Sequence, residues 1–167
     1  MNAGEIIAVL DAGPLIHLDE IESLYLLAGF REILLPATVE REVQAHRPKI
    51  KLELIPGLSR IAYTTVIPDS LLVMATEFGL HAGELEAIAA LKTRHGNCLL
   101  SDDAAARAMA EAIGFQVRGT VGLILRGWRR QQITKDKAHN LLRSLPKKSS
   151  LHLRSSLLER ILLELNN

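Results

Sequence analysis

Apolar residues along this chain occur either in short unbroken runs or in stripes at helical spacing. The first run, residues 6–10 (IIAVL), ends at Asp11 and is followed by a Gly13-Pro14 corner that stops a strand and starts a helix. An unbroken run of this length predicts a strand buried on both faces, as in a parallel sheet flanked by helices. Similar runs predict further strands at 32–35, 61–67, 98–101 and 115–117, with the one at 61–67 near the sheet edge.

Between the runs, apolar residues recur at helical spacing, and Pro, Gly and polar caps mark the ends. The helices predicted in this way span 15–27, 37–46, 68–78, 82–94, 104–113, 121–129, 134–145 and 151–165. Pro146 is expected to stop the seventh of them. Strands alternating with helices predict a three-layer α/β/α fold with a mostly parallel, twisted sheet. We divide the chain into a domain over 1–125 and a helical C-terminal extension over 126–167, packed on that domain.

Composition agrees with one intracellular domain. The chain has 167 residues, of which 48% are apolar and 4% aromatic, and this suits an aliphatic α/β core. Its single cysteine, Cys98, allows no internal disulfide and favours a reducing compartment. The sequence has neither a secretory pattern at the amino terminus nor a run of the roughly 18–20 apolar residues that a membrane span needs. We therefore expect a cytoplasmic protein.

The net charge of +1 hides an uneven distribution. Residues 1–117 carry 9 lysines and arginines against 16 acids, whereas residues 118–167 carry 11 against 3. Three interpretations stay open: a track for a polyanion, a tail that docks on the acidic surface, and ordinary solvated helix faces.

Acidic residues follow two of the predicted strands. Asp11 ends the first run, and Asp102-Asp103 follow the run over 98–101. Open α/β sheets bind ligands beyond the carboxyl ends of their strands, so these acids face one crevice if the two strands are neighbours. Alternatively, Asp11 only caps the helix that follows it.

Helical angles extend this argument to the glutamates. At about 100° per residue, Glu84 falls within the large apolar stripe of the helix over 82–94, whereas Glu86 lies opposite and is predicted at the surface. A carboxylate on a buried face is costly unless it is paired or binds a metal, so Glu84 is a candidate site residue. A buried arginine partner or a capping role would also explain it. Angles do not choose between Glu40 and Glu42 on the helix over 37–46.

Several acids gathered together repel one another unless a cation neutralises them. Carboxylate oxygens, with no His or Cys at ligand spacing, favour Mg²⁺ or Mn²⁺ over zinc, and such ions suit phosphoryl chemistry. The sequence contains no nucleotide-binding glycine loop and no G-x-S-x-G elbow. The six histidines are scattered, and we interpret them as surface or capping residues.

The order and spacing of five blocks together resemble the PIN domain, the metal-dependent nuclease fold of many prokaryotic toxins. The blocks are VLDAGPLI (9–16), PATVEREV (36–43), GELEAI (83–88), LLSDDAAAR (99–107) and GFQVRGTVG (114–122). The resemblance covers about residues 6–125. The helical tail is similar to that of one PIN subfamily without an assigned function.

The resemblance implies a site for one or two Mg²⁺ or Mn²⁺ ions and cleavage of single-stranded RNA. By position, Asp11 matches the first-strand acid, Glu42 the acid of the V-x-x-E-V pattern and Glu84 the acid of the Gly-Glu pattern, where many relatives have Asp. Asp102 and Asp103 both fit the last acid, and the T-x-D spacing favours Asp103. The implied catalytic set is these five acids, with Asp11, Glu84 and Asp103 as ligands and Glu42 beside them.

Basic residues are the candidates for contacts to the RNA backbone, with a solvated face as the alternative. They are Arg107, Arg126, Arg129, Arg130 and Lys135, with Lys137 nearby. The amphipathic helix over 151–165 could pack on its own domain, form the seam of a homodimer or higher oligomer, or receive an antitoxin peptide. Deleting 150–167 is accordingly expected to leave the acidic site intact but to alter oligomeric state or solubility.

The function that the resemblance implies is a ribonuclease that acts as the toxin of a type II toxin–antitoxin pair. A PIN-like module that binds nucleic acid or protein without cutting is the alternative. An acid-metal phosphatase of another α/β fold is the third reading, but the Asp-x-Asp strand end expected of it is missing.

Overall fold

The structure, a computed structural model, describes residues 6–62 and 67–166. Within these residues five strands form one sheet in the order β3-β2-β1-β4-β5, and every neighbouring pair is parallel. The strands are β1 (Ile7–Leu10), β2 (Glu32–Pro36), β3 (Leu58–Ile61), β4 (Cys98–Leu100) and β5 (Gln116–Arg118).

Helices cover both faces of this sheet. They are α1 (Ala12–Glu20), α2 (Ala37–His46), α3 (Asp69–Phe78), α4 (Ala82–Thr93), α5 (Ala104–Ala112), α6 (Thr120–Arg129), α7 (Lys135–Lys148) and α8 (Ser155–Asn166). Short 3-10 turns occupy Leu24–Leu27 and Leu52–Leu54. The predicted three-layer α/β/α fold with a parallel sheet and a helical C-terminal region is therefore confirmed.

Side-chain alternation along the strands builds two cores. Val9, Leu34 and Leu99 point to the face covered by α3, α4 and α5. Their neighbours Leu10 and Leu100 point to the other face, which packs against α1, α6 and α7. Because both faces of the sheet centre are buried, β1 and β4 are continuously apolar rather than alternating, which is the pattern that the first run showed.

The helix predicted over 15–27 is in fact two elements. α1 starts earlier, at Ala12, because the Asp11 side chain caps it, and it ends at Glu20. Glu22 has a φ of 55°, and the buried Ser23 donates its N–H to Leu18 O at 2.7 Å. This turn redirects the chain into the 3-10 turn over Leu24–Leu27.

Three other boundaries differ. β3 lies at Leu58–Ile61, ahead of the predicted 61–67, because its register with β2 decides where it begins; residues 63–66 lie outside the described part. Pro146 does not stop α7, which runs to Lys148, and Ser149 N and Oγ both bond to Leu145 O. α8 begins at Ser155 rather than 151, since the preceding residues are not helical.

The C-terminal helices share the core of α1 and α6. Leu141, Leu142 and Leu145 of α7 and Leu165 of α8 are buried there, and Leu158 packs against it. Of the three fates left open for the last helix, packing on its own chain is the one observed. The boundary predicted at 125/126 lies inside α6, and the division into two units stays a prediction. Among the described residues, no helix combines the length and apolarity that crossing a bilayer would require.

Candidate active site

The strand order places the site where the chain reverses direction across the sheet. After β3 the chain crosses to the other side of β1, so β1 and β4 are neighbours whose connections lead in opposite directions. Leu10 pairs with Leu100, and Asp11 N donates to Leu100 O at 2.9 Å. The two strand ends that carry acids therefore lie side by side, and a crevice opens beyond them.

Asp11 is buried at this junction, with 6% of its surface exposed. Ser101 Oγ donates to its Oδ2 at 2.6 Å, and Ala12 N donates to its Oδ1 at 2.8 Å. Ser101 Oγ in turn accepts from Asp103 N at 3.1 Å. Asp11 thus caps α1 and also lines the crevice, so the two interpretations of this residue are compatible.

The acids around Asp11 affect its ionisation. Burial raises the pKa of Asp11 from 3.8 to about 6, against the hydrogen bonds from Ser101 and Ala12, and the charges of Glu84 and Glu42 raise it further. The effect of these two glutamates shows that carboxylates from three different elements lie close enough to repel one another.

Asp102 and Asp103 have different surroundings. Asp102 Oδ1 accepts from Thr120 N at 2.8 Å, and its Oδ2 bonds to Thr120 Oγ1 at 2.5 Å and to His17 Nδ1 at 2.8 Å. Burial alone would raise the pKa of Asp102, but the bonds from His17 and Thr120 outweigh it and lower the pKa. Asp103 uses Oδ1 to cap α5 at Ala106 N, at 2.8 Å. Asp102 therefore ties α1, β4 and α6 together.

On α2 the structure separates the two glutamates that periodicity could not. Glu42 lines the crevice, whereas Glu40 Oε1 accepts from Arg60 Nε at 2.7 Å and does not line it. Glu42 Oε2 lies 3.3 Å from the position that a Cβ would take on Gly83. The missing side chain at Gly83 is therefore what lets α2 bring Glu42 against α4.

On α4 one of the two glutamates lines the crevice, and the other is not where it was predicted to lie. Glu84 lines the crevice, and its Oε2 accepts from His81 N at 2.7 Å at the start of the helix. The prediction that Glu86 lies at the surface is wrong: it is 5% exposed and accepts from Thr38 N at 3.1 Å. The reason is that α4 packs against β1, β2, β4, α2, α3 and α5, so no side of it is uniformly solvated. Among the described residues, Glu86 Oε1 has no hydrogen-bond partner.

All five predicted catalytic acids line one cavity of about 620 Å³, which we call the acidic cavity. Sequence analysis missed several of the residues around them. His17 was interpreted as a surface or capping residue, but it is half-buried against Asp102. Ser150, Leu151 and His152, from the loop between α7 and α8, also line the cavity. No local signal could have found these residues, because their partners lie 85 or more positions away along the chain.

The donor set of the acidic cavity suits a hard divalent cation. Carboxylate oxygens prefer Mg²⁺ or Mn²⁺, and a cation would offset the cost of ionising Asp11, which comes mainly from burial and to a smaller extent from the charges of Glu84 and Glu42. In the side-chain positions of residues 6–62 and 67–166, no three His, Cys, Asp or Glu groups converge as a metal cluster. Glu84 would have to release His81 N to contribute. The residues fit the ion by their chemistry and location, and the arrangement needs side-chain rotation.

The predicted basic contacts are spread over both ends of the molecule. Arg107 is half-buried beside the acids and donates to Ser101 O at 3.2 Å. Arg126 is 6% exposed, bonds to Ala28 O and Gly29 O before β2, and lies 3.9 Å above the Phe30 ring. Burial lowers the pKa of Arg126 to about 10, with the charges of Arg130 and Arg118 adding to the effect. Its guanidinium thus points into the protein, at the amino ends of the strands and not at the carboxyl ends where the acids lie.

The remaining basic candidates lie near Arg126, at the end of the molecule remote from the acids. Arg129, Arg130 and Lys135 are exposed at the end of α6 and the start of α7. Of the predicted basic residues, Arg107 is the one that the structure places beside the loop carrying Asp102 and Asp103, although it does not line the acidic cavity itself.

Comparison with known proteins identifies the family. A family model described as a PIN domain matches residues 7–167, and the chain therefore belongs to the PIN domain family. PIN domains are commonly nucleases and are generally dependent on divalent metals. The resemblance drawn from the five blocks is confirmed.

Two further comparisons complete this result. No curated protein sequence matches the chain. Among solved structures, the chain is similar to that described as the crystal structure of PAE2754 from Pyrobaculum aerophilum, with 13% identity and a TM-score of 0.47. That match covers 72% of this chain and 88% of the other.

Proposed function

We propose that this protein is an endoribonuclease that uses Mg²⁺ or Mn²⁺ to cleave single-stranded RNA. The observation that carries the proposal is the convergence of five acids, from the ends of β1 and β4 and from α2 and α4, on one cavity at the reversal point of the sheet. Burial and, to a smaller extent, the charges of Glu84 and Glu42 raise the pKa of Asp11, and a bound cation would offset this cost of ionisation.

Each acid has a role in this proposal. Asp11, Glu84 and Asp103 would hold the ion, with Glu42 beside them. When bound, the ion supplies charge neutralisation and polarisation of a phosphodiester. Ser101 orients the Asp11 carboxylate through its 2.6 Å hydrogen bond, and Asp102 holds the loop after β4 through His17 and Thr120.

Contacts to the RNA backbone are proposed for Arg107 at the cavity and, for longer strands, for Arg129, Arg130 and Lys135. We leave Arg126 out, because its guanidinium is buried against backbone carbonyls.

The proposed cellular role is the toxin of a type II toxin–antitoxin pair in the cytoplasm, acting as a homodimer or higher oligomer. The toxin role rests on the family resemblance. The homodimer or higher oligomer likewise rests on the family resemblance.

One observation favours the alternative of a PIN-like module that binds without cutting. Glu84 is hydrogen-bonded to the start of its own helix, and the acids in the described part do not form a preassembled metal cluster. Such a protein would still bind RNA at the same cavity.

Cleavage assays separate the two functions. Purified protein is incubated with single-stranded RNA and Mg²⁺ or Mn²⁺, and Asp11→Asn is expected to lower the cleavage rate about 100-fold or more, because losing several kcal/mol of charge stabilisation costs about tenfold for each ~1.4 kcal/mol. Glu42→Gln should also reduce the rate.

Glu40→Gln is the matched control on the same helix, because Glu40 is paired with Arg60 and does not line the cavity. RNA binding without metal-dependent cleavage would establish the alternative. Equal rates for wild type and Asp11→Asn would show that the site is elsewhere.

A further inference from the structure

The loop between α7 and α8, residues 149–154, passes between two cavities; we call it the arm. Ser150, Leu151 and His152 line the acidic cavity. Leu151 and His152 also line a second cavity of about 470 Å³, which we call the arginine cavity. The arm is therefore a wall shared by two neighbouring cavities.

The arm is held in place at several points. Ser150 N and Ser150 Oγ both donate to Glu20 Oε2 of α1, at 2.7 and 3.0 Å. Leu151 and Leu153 pack against the core of α1, α6 and α7. Apolar anchoring combined with two hydrogen bonds to one carboxylate oxygen makes the arm a defined part of the surface. His152 lies between the two leucines and is exposed.

The arginine cavity has the chemistry of a phosphate site. Arg107 and Arg118 line it, together with the turn between β5 and α6. A guanidinium has five N–H donors, and the bond from Arg107 to Ser101 O uses one of them. Arginine forks match phosphate oxygens in a bidentate manner. A Cβ on Gly119 would collide with Asp102 Oδ1 and lie 3.0 Å from Arg107 Nη1, so this turn is closely packed against the arginine.

Asp102 lines both cavities, and its negative charge would repel a phosphate. The hydrogen bonds to its carboxylate are therefore important for anion binding nearby. Both its oxygens accept hydrogen bonds, from Thr120 N, Thr120 Oγ1 and His17 Nδ1. The carboxylate is thus directed into the protein. Arg107 lines the arginine cavity and also donates a hydrogen bond to Ser101 O, in the loop that carries the acids.

We propose that the two cavities are successive subsites for one single-stranded RNA. The acidic cavity takes the phosphodiester that is cleaved, the arginine cavity takes a neighbouring phosphate, and His152 contacts the strand between them. This assignment rests on the proposed function. It makes the C-terminal extension part of the substrate site, because the extension supplies the wall and the histidine. An exposed imidazole at this position can stack on an unpaired base or donate to a phosphate.

Salt dependence of binding tests the phosphate contact. Binding of a fluorescently labelled single-stranded RNA is measured with the full-length Asp11→Asn protein, so that the strand is not cut. Arg107→Gln is expected to lower the slope of log affinity against log salt by about 0.7, the value for one phosphate contact on a single strand. Arg94→Gln, on the exposed end of α4 outside both cavities, is the charge-matched control and should leave the slope unchanged. Equal slopes for the two variants overturn the subsite.

The role of the arm in RNA binding is tested by substituting His152 and Glu20, the residue that accepts both hydrogen bonds from Ser150. His152→Ala is expected to weaken binding about fivefold or more, as for loss of a base-stacking side chain. Glu20→Ala removes the acceptor of both Ser150 hydrogen bonds and is expected to weaken binding similarly, with no further loss in the double variant. Glu53→Ala, an exposed acid outside both cavities, is the control. Additive losses, or unchanged affinity for folded His152→Ala, contradict the role of the arm.

Cleavage kinetics distinguish failure of this inference from failure of the proposed function. For these measurements the substitutions are made in the wild-type protein, which keeps Asp11. Arg107→Gln and His152→Ala are expected to raise KM for RNA while kcat stays within about twofold, because they remove binding that is equal in the ground and transition states. If the wild type binds RNA through these residues but does not cut it, the nuclease proposal fails and the subsites stand. If the wild type cuts and both variants keep its KM, the subsites fail alone.

Discussion

Asp11 is buried at the junction of β1 and β4, and this burial makes its ionisation costly. Its pKa of about 6 in the folded protein lies above the ordinary 3.8, so folding favours the protonated form. A group of this kind adds stability that is fully present below its unfolded pKa and is lost as pH rises through the folded pKa. In the absence of metal, the ionised Asp11 therefore destabilises the protein at neutral pH.

Asp11→Asn should consequently stabilise the metal-free protein at pH 8. A shift of about two pKa units corresponds to a gain on the order of 2 to 3 kcal/mol. The gain should shrink as the pH is lowered from 6 towards 4, where Asp11 becomes neutral. Urea unfolding of both proteins with chelator at several pH values measures it. A variant that is less stable at pH 8, or a difference independent of pH, contradicts the account.

At the scale of elements, the arm between α7 and α8 gives the C-terminal extension a second role, as part of the wall of the acidic cavity. The same helices that complete the core beneath α1 and α6 also position residues 150–152 at the acidic cavity. Packing and site formation are therefore coupled, and the expectation that deletion of 150–167 leaves the site intact needs correction.

Deletion of residues 150–167 is now expected to lower both stability and RNA affinity. The truncation removes the buried Leu165 and the partly buried Leu158, and deletion of one buried leucine side chain alone typically costs ~2–5 kcal/mol. It also removes one wall of the acidic cavity. Thermal unfolding and RNA binding measure the two effects. Leu163→Ser, at a 65% exposed position of the same helix, is the control that should change neither. A truncated protein with unchanged melting temperature and affinity refutes the coupling.

At the scale of the whole molecule, the basic residues after position 117 are divided between the two ends of the strands: Arg118 lines the arginine cavity beside Asp102, whereas the end of α6 lies at the opposite end. The acids lie at the carboxyl edge of the strands, whereas Arg126 is fixed to Ala28 O and Gly29 O at the opposite edge, where α6 ends. The excess of basic residues after position 117 is thus not one track leading from the acids. Arg107, from the acidic part of the sequence, is the predicted cation nearest to the site.

Metal binding is expected to stabilise the whole fold, because an ion that binds only the folded protein shifts the unfolding equilibrium. At a metal concentration 100 times Kd the gain is about 2.7 kcal/mol. Mn²⁺ should therefore raise the melting temperature of the wild type and have little effect on Asp11→Asn, even though that variant is the more stable one without metal. Differential scanning fluorimetry with and without chelator gives the comparison. Equal shifts in the two proteins would indicate binding elsewhere.

Several features were predictable because they depend on short stretches of sequence. The doubly buried run over 6–10, the acids directly after two such runs and the starts of most helices follow from local pattern and sterics. Periodicity on α4 failed, since an angle within one helix identifies a buried face only when the opposite face meets solvent. α4 is surrounded by three strands and three helices, and so Glu86 is buried although it lies opposite the large apolar residues.

The sequence by itself determined the fold class, the two acid-bearing strand ends and the family, because each depends on local patterns and on the order of those patterns along the chain. Only the tertiary structure decided which partners those segments meet: His17 with Asp102, Ser150 with Glu20, and Arg126 with the carbonyls before β2. These pairs are 85 to 130 positions apart, and their formation depends on strand order and helix packing rather than on local preference.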